Sequence, residues 1–139
     1  NGEVLPLTLS GKIDRIESEN AEIRIIDYKS GKVEPHNLKI KDVGKILTSS
    51  DSKYDKLIQL GIYKLLYRSK YHHSASAGII SLRNMKEGVM LSEGLDEDEC
   101  TGLIRQIIER MLSKDEVISH NPKAKYCSFC RDVEKSKAH

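Results

Sequence analysis

Apolar and polar positions alternate early in the chain, and further on they fall into helical spacing. Val4, Leu5, Leu7 and Leu9 alternate with small or polar residues, but Pro6 lacks a ladder donor, so residues 4–9 read as an edge strand. Residues 11–18 and 22–29 follow as β-patterned segments, joined by Glu19, Asn20 and Ala21, a polar connection short enough for a hairpin. The three together predict a meander. Residues 30–51 hold Gly31, Pro35, Gly44 and a Thr-Ser-Ser-Asp cluster without sustained period, a long connection with room for one short helical turn. From 52 to 70, Tyr54, Leu57, Ile58, Ile62, Leu65 and Leu66 recur every three or four positions, which predicts an amphipathic helix. Residues 75–82 and 88–91 read as strands. Leu103, Ile104, Ile107, Ile108, Met111 and Leu112 then mark the buried stripe of a helix over 96–112. Its first turn holds Asp96, Glu97, Asp98 and Glu99, as the helix dipole favours.

Two carboxylates interrupt this pattern. Asp14 lies in the segment Gly11-Lys12-Ile13-Asp14-Arg15-Ile16-Glu17, and Asp27 follows Ile25 and Ile26 in a β-branched run. A charge inside such a segment gives up burial energy and needs a cation or several donors to be tolerated. Lys29 stands two residues beyond Asp27, so in a strand both side chains leave the same face, about 7 Å apart at their bases. Ile26 and Tyr28 then face the other way and can anchor the strand. A hard cation such as Mg²⁺ needs only one or two carboxylates plus water and phosphate oxygens. Asp14 and Asp27 supply that pair, and Lys29 is spaced to orient an attacking water or to neutralise charge on a phosphoryl group.

At 139 residues the chain suits one core and is short for two domains of usual size. Charged residues make up 32% of it, with no Trp and a single Phe, so its core must be built from Ile, Leu and Val. A net charge of +2, from 23 basic and 21 acidic residues, does not by itself announce a polyanion partner. No apolar run approaches the roughly 20 residues of a membrane span, and an odd count of three cysteines argues against a disulfide framework. These features together predict a soluble cytoplasmic protein, of bacterial type, with no membrane partner. The start at Asn1 without Met predicts a single domain, residues 1–139, cut from a longer protein.

In order, the chain carries Gly11, Asp14 and Arg15 as G-x-x-D-R, Asp27 and Lys29 as D-x-K, and Gln59 and Tyr63 as Q-x-x-x-Y on a helix. That succession resembles the PD-(D/E)xK nuclease superfamily, specifically its RecB-type branch, with motif specificity concentrated in residues 11–63. The resemblance implies an α/β, restriction-endonuclease-like fold: a central mixed β-sheet of four or five strands flanked by α-helices. It also implies a Mg²⁺- or Mn²⁺-dependent deoxyribonuclease of DNA repair or recombination, fused to or assembled with helicase or recombination-protein domains. Asp14, Asp27 and the Tyr28 main-chain carbonyl carry over as metal ligands, with Glu3 as a further acidic counterpart. Lys29 carries over as the catalytic lysine, supported by Gln59 and Tyr63. Lys41, Lys45, Lys53 and Lys56 are candidates for a phosphate path.

Some relatives hold an iron–sulfur cluster on four cysteines, but here only Cys127 and Cys130 match, and Ser136 and Lys137 stand where the next would be. No cluster is expected. Each feature also has a plain reading. Asp14 suits a solvated strand face, Asp27 and Lys29 a strand end, and Gln59 and Tyr63 the edge of an ordinary helix. Cys127 and Cys130 suit a core edge, His72 and His73 a solvated turn, and the four lysines a solvated surface. A second functional class, a catalytically silent nuclease-like DNA-binding module, is compatible with the same motifs.

Overall fold

The computed structural model describes residues 6–49 and 52–115. Its centre is a four-stranded mixed sheet in the order β1-β2-β3-β4, formed by Arg15–Glu19, Glu22–Lys29, Ser76–Ser81 and Met90–Leu91. β1 and β2 are an antiparallel hairpin paired from Arg15↔Ile26 to Glu19↔Glu22. Asn20 and Ala21 form its two-residue turn, with φ of 51° and 65°, the left-handed values that match the twist of a tight hairpin. β2 and β3 are parallel, from Arg24↔Ser76 to Lys29↔Ser81, and so require a crossover. A 3-10 turn at Pro35–Leu38, the short helix α1 (Gly44–Thr48) and the long helix α2 (Asp55–Tyr71) supply it. β4 pairs antiparallel to β3. Helix α3 (Glu97–Leu112) follows, opened by a capping box in which the Asp96 carboxylate accepts from the Glu99 N–H and the Glu99 carboxylate from the Asp96 N–H.

Helix α2 is the middle layer, because it is apolar on two sides. One side sets Leu60, Tyr63 and Tyr67 against Ile25, Ala77 and Ile79 of the sheet. The other sets Leu57, with Ile58, Ile62 and Leu65 at its margin, against Leu95, Cys100 and Leu103. Gly61 permits the closest approach, since a Cβ there would lie 2.9 Å from both Cys100 Sγ and Leu95 Cδ2. The mixed sheet with flanking helices is the α/β arrangement expected.

Several expectations are corrected. Residues 6–9 of the supposed edge strand form no strand, residues 4 and 5 lie outside the described residues, and the meander reduces to a hairpin. The reason is packing: Leu7 and Leu9 line a groove with Leu65, Ile104 and Ile108 instead of extending the sheet. β1 begins at Arg15, leaving Asp14 in the bend before it. Tyr28 faces away from the core, 40% exposed, and is no anchor, whereas Ile26 is buried. Met111 and Leu112 are exposed beyond the part of α3 that meets α2.

Candidate active site

At the C-terminal end of β2 the core face changes from apolar to polar. Ile25 is fully buried there, Asp27 is 3% exposed, and Lys29 closes the row. Asp27 thus occupies a core position, held by the strand's alternation against α2. Lys29 Nζ lies 2.9 Å from Asp27 Oδ2 and donates to Gln59 Oε1 at 2.8 Å. Gln59 Nε2 donates to the Tyr63 hydroxyl at 2.8 Å and makes a long contact of 3.4 Å with Asp27 Oδ1. Gln59 and Tyr63 are one turn apart on α2, so a single helix face serves both ends of this chain of contacts.

The Asp27 carboxylate remains under-partnered. Oδ2 has the Lys29 ammonium 2.9 Å away as its ion-pair partner and, among the described residues, no hydrogen bond besides. A buried carboxylate oxygen with spare acceptor capacity is what a cation or a reacting group relieves.

Asp14 meets this site from the bend before β1. The ladder between β1 and β2 ends at Arg15↔Ile26, one residue short of Asp14 and Asp27. The Asp14 side chain takes over where the ladder stops, its Oδ2 accepting from the Tyr28 N–H at 3.0 Å. Asp14 is exposed and Asp27 buried. Arg15 turns to the opposite face, where it donates to the Tyr28 hydroxyl at 3.1 Å and pairs with Glu17 at 2.8 Å. The Tyr28 contact, then the Glu17 carboxylate, raise its pKa above the ordinary value and keep it cationic. Gly11 has a packing role that its spacing alone did not reveal: a Cβ there would lie 3.1 Å from Leu66 Cδ1 and 3.4 Å from Tyr63 Cε1. The segment carrying Asp14 crosses α2 close beside the tyrosine of the site.

Two polar residues not singled out in the sequence complete the surroundings. Ser81 is fully buried and pairs in register with Lys29, and Asn84 follows it in the turn beyond β3. A serine at the end of Ala77-Gly78-Ile79-Ile80 carries the same signal as Asp27, a polar group at a core position. The candidate lysines are spread wider. Lys41 and Lys45 are exposed around α1, Lys53 sits over the Tyr54 ring at 5.3 Å, and Lys56 is in the first turn of α2. None of the four contacts Asp27 or Lys29 in any hydrogen bond or ion pair found among the described residues. His72 ends α2 in a left-handed conformation with φ of 59°, and His73 lines a cavity beside Tyr67 at the far end of β2. Glu3, Cys127 and Cys130 lie outside the described residues.

The donor set suits a hard cation. Asp27 offers a buried carboxylate, and Asp14 a second one fastened to the backbone of the next residue, Tyr28. Two carboxylates suit an ion that keeps several waters. Among the described residues no group of three His, Cys, Asp or Glu side chains gathers. No helix among these residues is long and apolar enough to cross a membrane.

Comparison with family models gives one match, to the PD-(D/E)XK nuclease superfamily over residues 2–131. Neither the curated proteins nor the solved structures gave a match.

Proposed function

Because the chain belongs to the PD-(D/E)XK nuclease superfamily, we propose that it is a Mg²⁺- or Mn²⁺-dependent deoxyribonuclease domain of the RecB type, acting in repair or recombination beside helicase or recombination-protein domains. The observation that carries this reading is the buried, under-partnered Asp27 carboxylate against Lys29, with Gln59 and Tyr63 behind it. Asp14 and Asp27 would hold the cation, with the Tyr28 carbonyl and Glu3 as further ligands. Bound there, the ion supplies a polarised phosphoryl oxygen and a more acidic water.

The remaining work falls to the chain's own groups. Lys29 stands at the mouth of the site, 27% exposed at its side chain, where its ammonium donates to the phosphodiester oxygens as their charge develops or orients the attacking water. Gln59 fixes where that ammonium stands by accepting a hydrogen bond from it at Oε1, and the Tyr63 hydroxyl fixes the amide in turn by accepting from Nε2. Lys41, Lys45, Lys53 and Lys56 would attract the DNA backbone from α1 and the start of α2, a contribution that weakens with salt.

The test is cleavage of linear DNA with Mg²⁺ or Mn²⁺, with and without chelator. Wild type is expected to cut and to stop on chelation, and Asp27→Ala and Lys29→Ala to lose most activity. Normal cation-dependent cutting by either variant would sink the reading. A second reading, a catalytically silent DNA-binding module, is compatible with the same motifs. Retained DNA binding without any cation-dependent cutting by wild type would select it.

A further inference from the structure

Beyond Lys29 the chain leaves the sheet, and what holds it there is a set of contacts on alternate carbonyls. The Lys29 carbonyl accepts from the Leu82 N–H at 2.9 Å. The Gly31 carbonyl accepts from Ser81 Oγ at 2.8 Å, and the Val33 carbonyl from Asn84 Nδ2 at 3.1 Å. Ser81 Oγ also receives the Asn84 N–H at 3.3 Å, linking the two side chains, and the Val33 side chain is buried in the core. Thus residues 29, 31 and 33 are fastened to 82, 81 and 84 where both strands end. Ser81 is 0% exposed, and its hydroxyl is committed to the Gly31 carbonyl and the Asn84 N–H. The Asn84 amide has one sensible orientation, since its other end would set oxygen against the Val33 carbonyl.

We propose that Ser81 and Asn84 are positioning residues, a clip that fixes the strand end from which Lys29 reaches Asp27 and Gln59. The inference rests on the nuclease reading of Lys29. Neither side chain touches Asp27, Lys29 Nζ or Gln59 among the described residues, so any influence passes through the backbone. A reacting group displaced by about 1 Å can lose 10²-fold in rate. Without the Ser81 hydroxyl the Gly31 carbonyl loses the side chain that ties it to the end of β3, and the segment after Lys29 is released to shift.

The experiment is a double-mutant cycle on DNA cleavage under single-turnover conditions. Ser81→Ala and Asn84→Ala are expected to lower the maximal rate about 10- to 100-fold while the DNA concentration giving half-maximal rate stays unchanged. Ser81→Thr, which keeps the hydroxyl, restores most of the rate. In a Lys29→Ala background, adding Ser81→Ala changes the residual rate by less than about 2-fold, because the positioned group is already gone. Asn84→Ala keeps the test alive if Ser81→Ala does not fold, since Asn84 is only half-buried, in the turn beyond β3. Wild-type rates in both single variants, or a full further loss in the Lys29→Ala background, would overturn the clip while leaving the nuclease reading intact. Wild-type cutting by Lys29→Ala itself overturns that reading, and the clip with it.

Discussion

The two sides of α2 solve different problems with the same helix. Toward α3, Leu57 and Gly61 meet Leu95, Cys100 and Leu103, a contact so close that a single added methyl has no room. Toward the end of the sheet, Gln59 and Tyr63 meet Asp27 and Lys29, a contact of hydrogen bonds and one ion pair in which a buried carboxylate oxygen remains short of donors. The first side is packed for stability. A fold selected only for stability would have filled the second with Ile or Leu, because a buried ion pair seldom outperforms apolar packing of the same volume. The difference agrees with the function proposed for the end of β2, and α2 is the helix common to both contacts.

The contrast is open to attack from either side. Lys29→Ala has the largest expected effect, a fall in DNA cleavage of about 10²–10⁴-fold, measured by single-turnover kinetics with Mg²⁺. Leu57→Ala, on the apolar side, is expected to cost about 2–5 kcal/mol in urea unfolding while leaving the rate constant of the folded fraction close to wild type. Gly61→Ala should lose about 1–3 kcal/mol by overpacking against Cys100 and Leu95, again without moving the rate per folded molecule. A rate loss in either that exceeds the loss of folded protein would show that the two sides are not separable. The smallest effect concerns Cys100. Burial, the largest cause, pushes its thiol up to about 11, so at pH 8 to 9 the native protein holds it protonated. Alkylation of Cys100 by iodoacetamide, followed by mass spectrometry, should therefore track unfolding and not the thiol's own titration. Rapid labelling of the native protein at pH 8 would contradict the closed apolar contact.

What could be read from the chain divides along similar lines. α2 and α3 were legible because their apolar residues recur every three or four positions, β2 and β3 because short runs of Ile stand among polar and small residues. The polar site was legible because Asp27 breaks such a run and Lys29 shares its face. Residues 6–9 misled because alternating leucines suit a strand and a segment packed over two helices equally well, and only tertiary contact decides. The burial of Leu60 on the sheet side was hidden for a related reason: a helix covered on two sides has no single apolar stripe. Ser81 and Asn84 depend on where two chain segments separated by some fifty residues come together, which no local pattern encodes.

The central claim is that Asp27 is buried for function and at a cost to stability. The most direct test measures Asp27→Asn on both counts, unfolding free energy in chelator and cleavage of linear DNA in Mg²⁺. The substitution removes the deeply buried charge and leaves Lys29, whose side chain reaches solvent, free to be hydrated. Stability within about 1 kcal/mol of wild type, or above it, together with near-complete loss of cleavage is the predicted result. A strongly destabilised variant that cuts at the wild-type rate would contradict it.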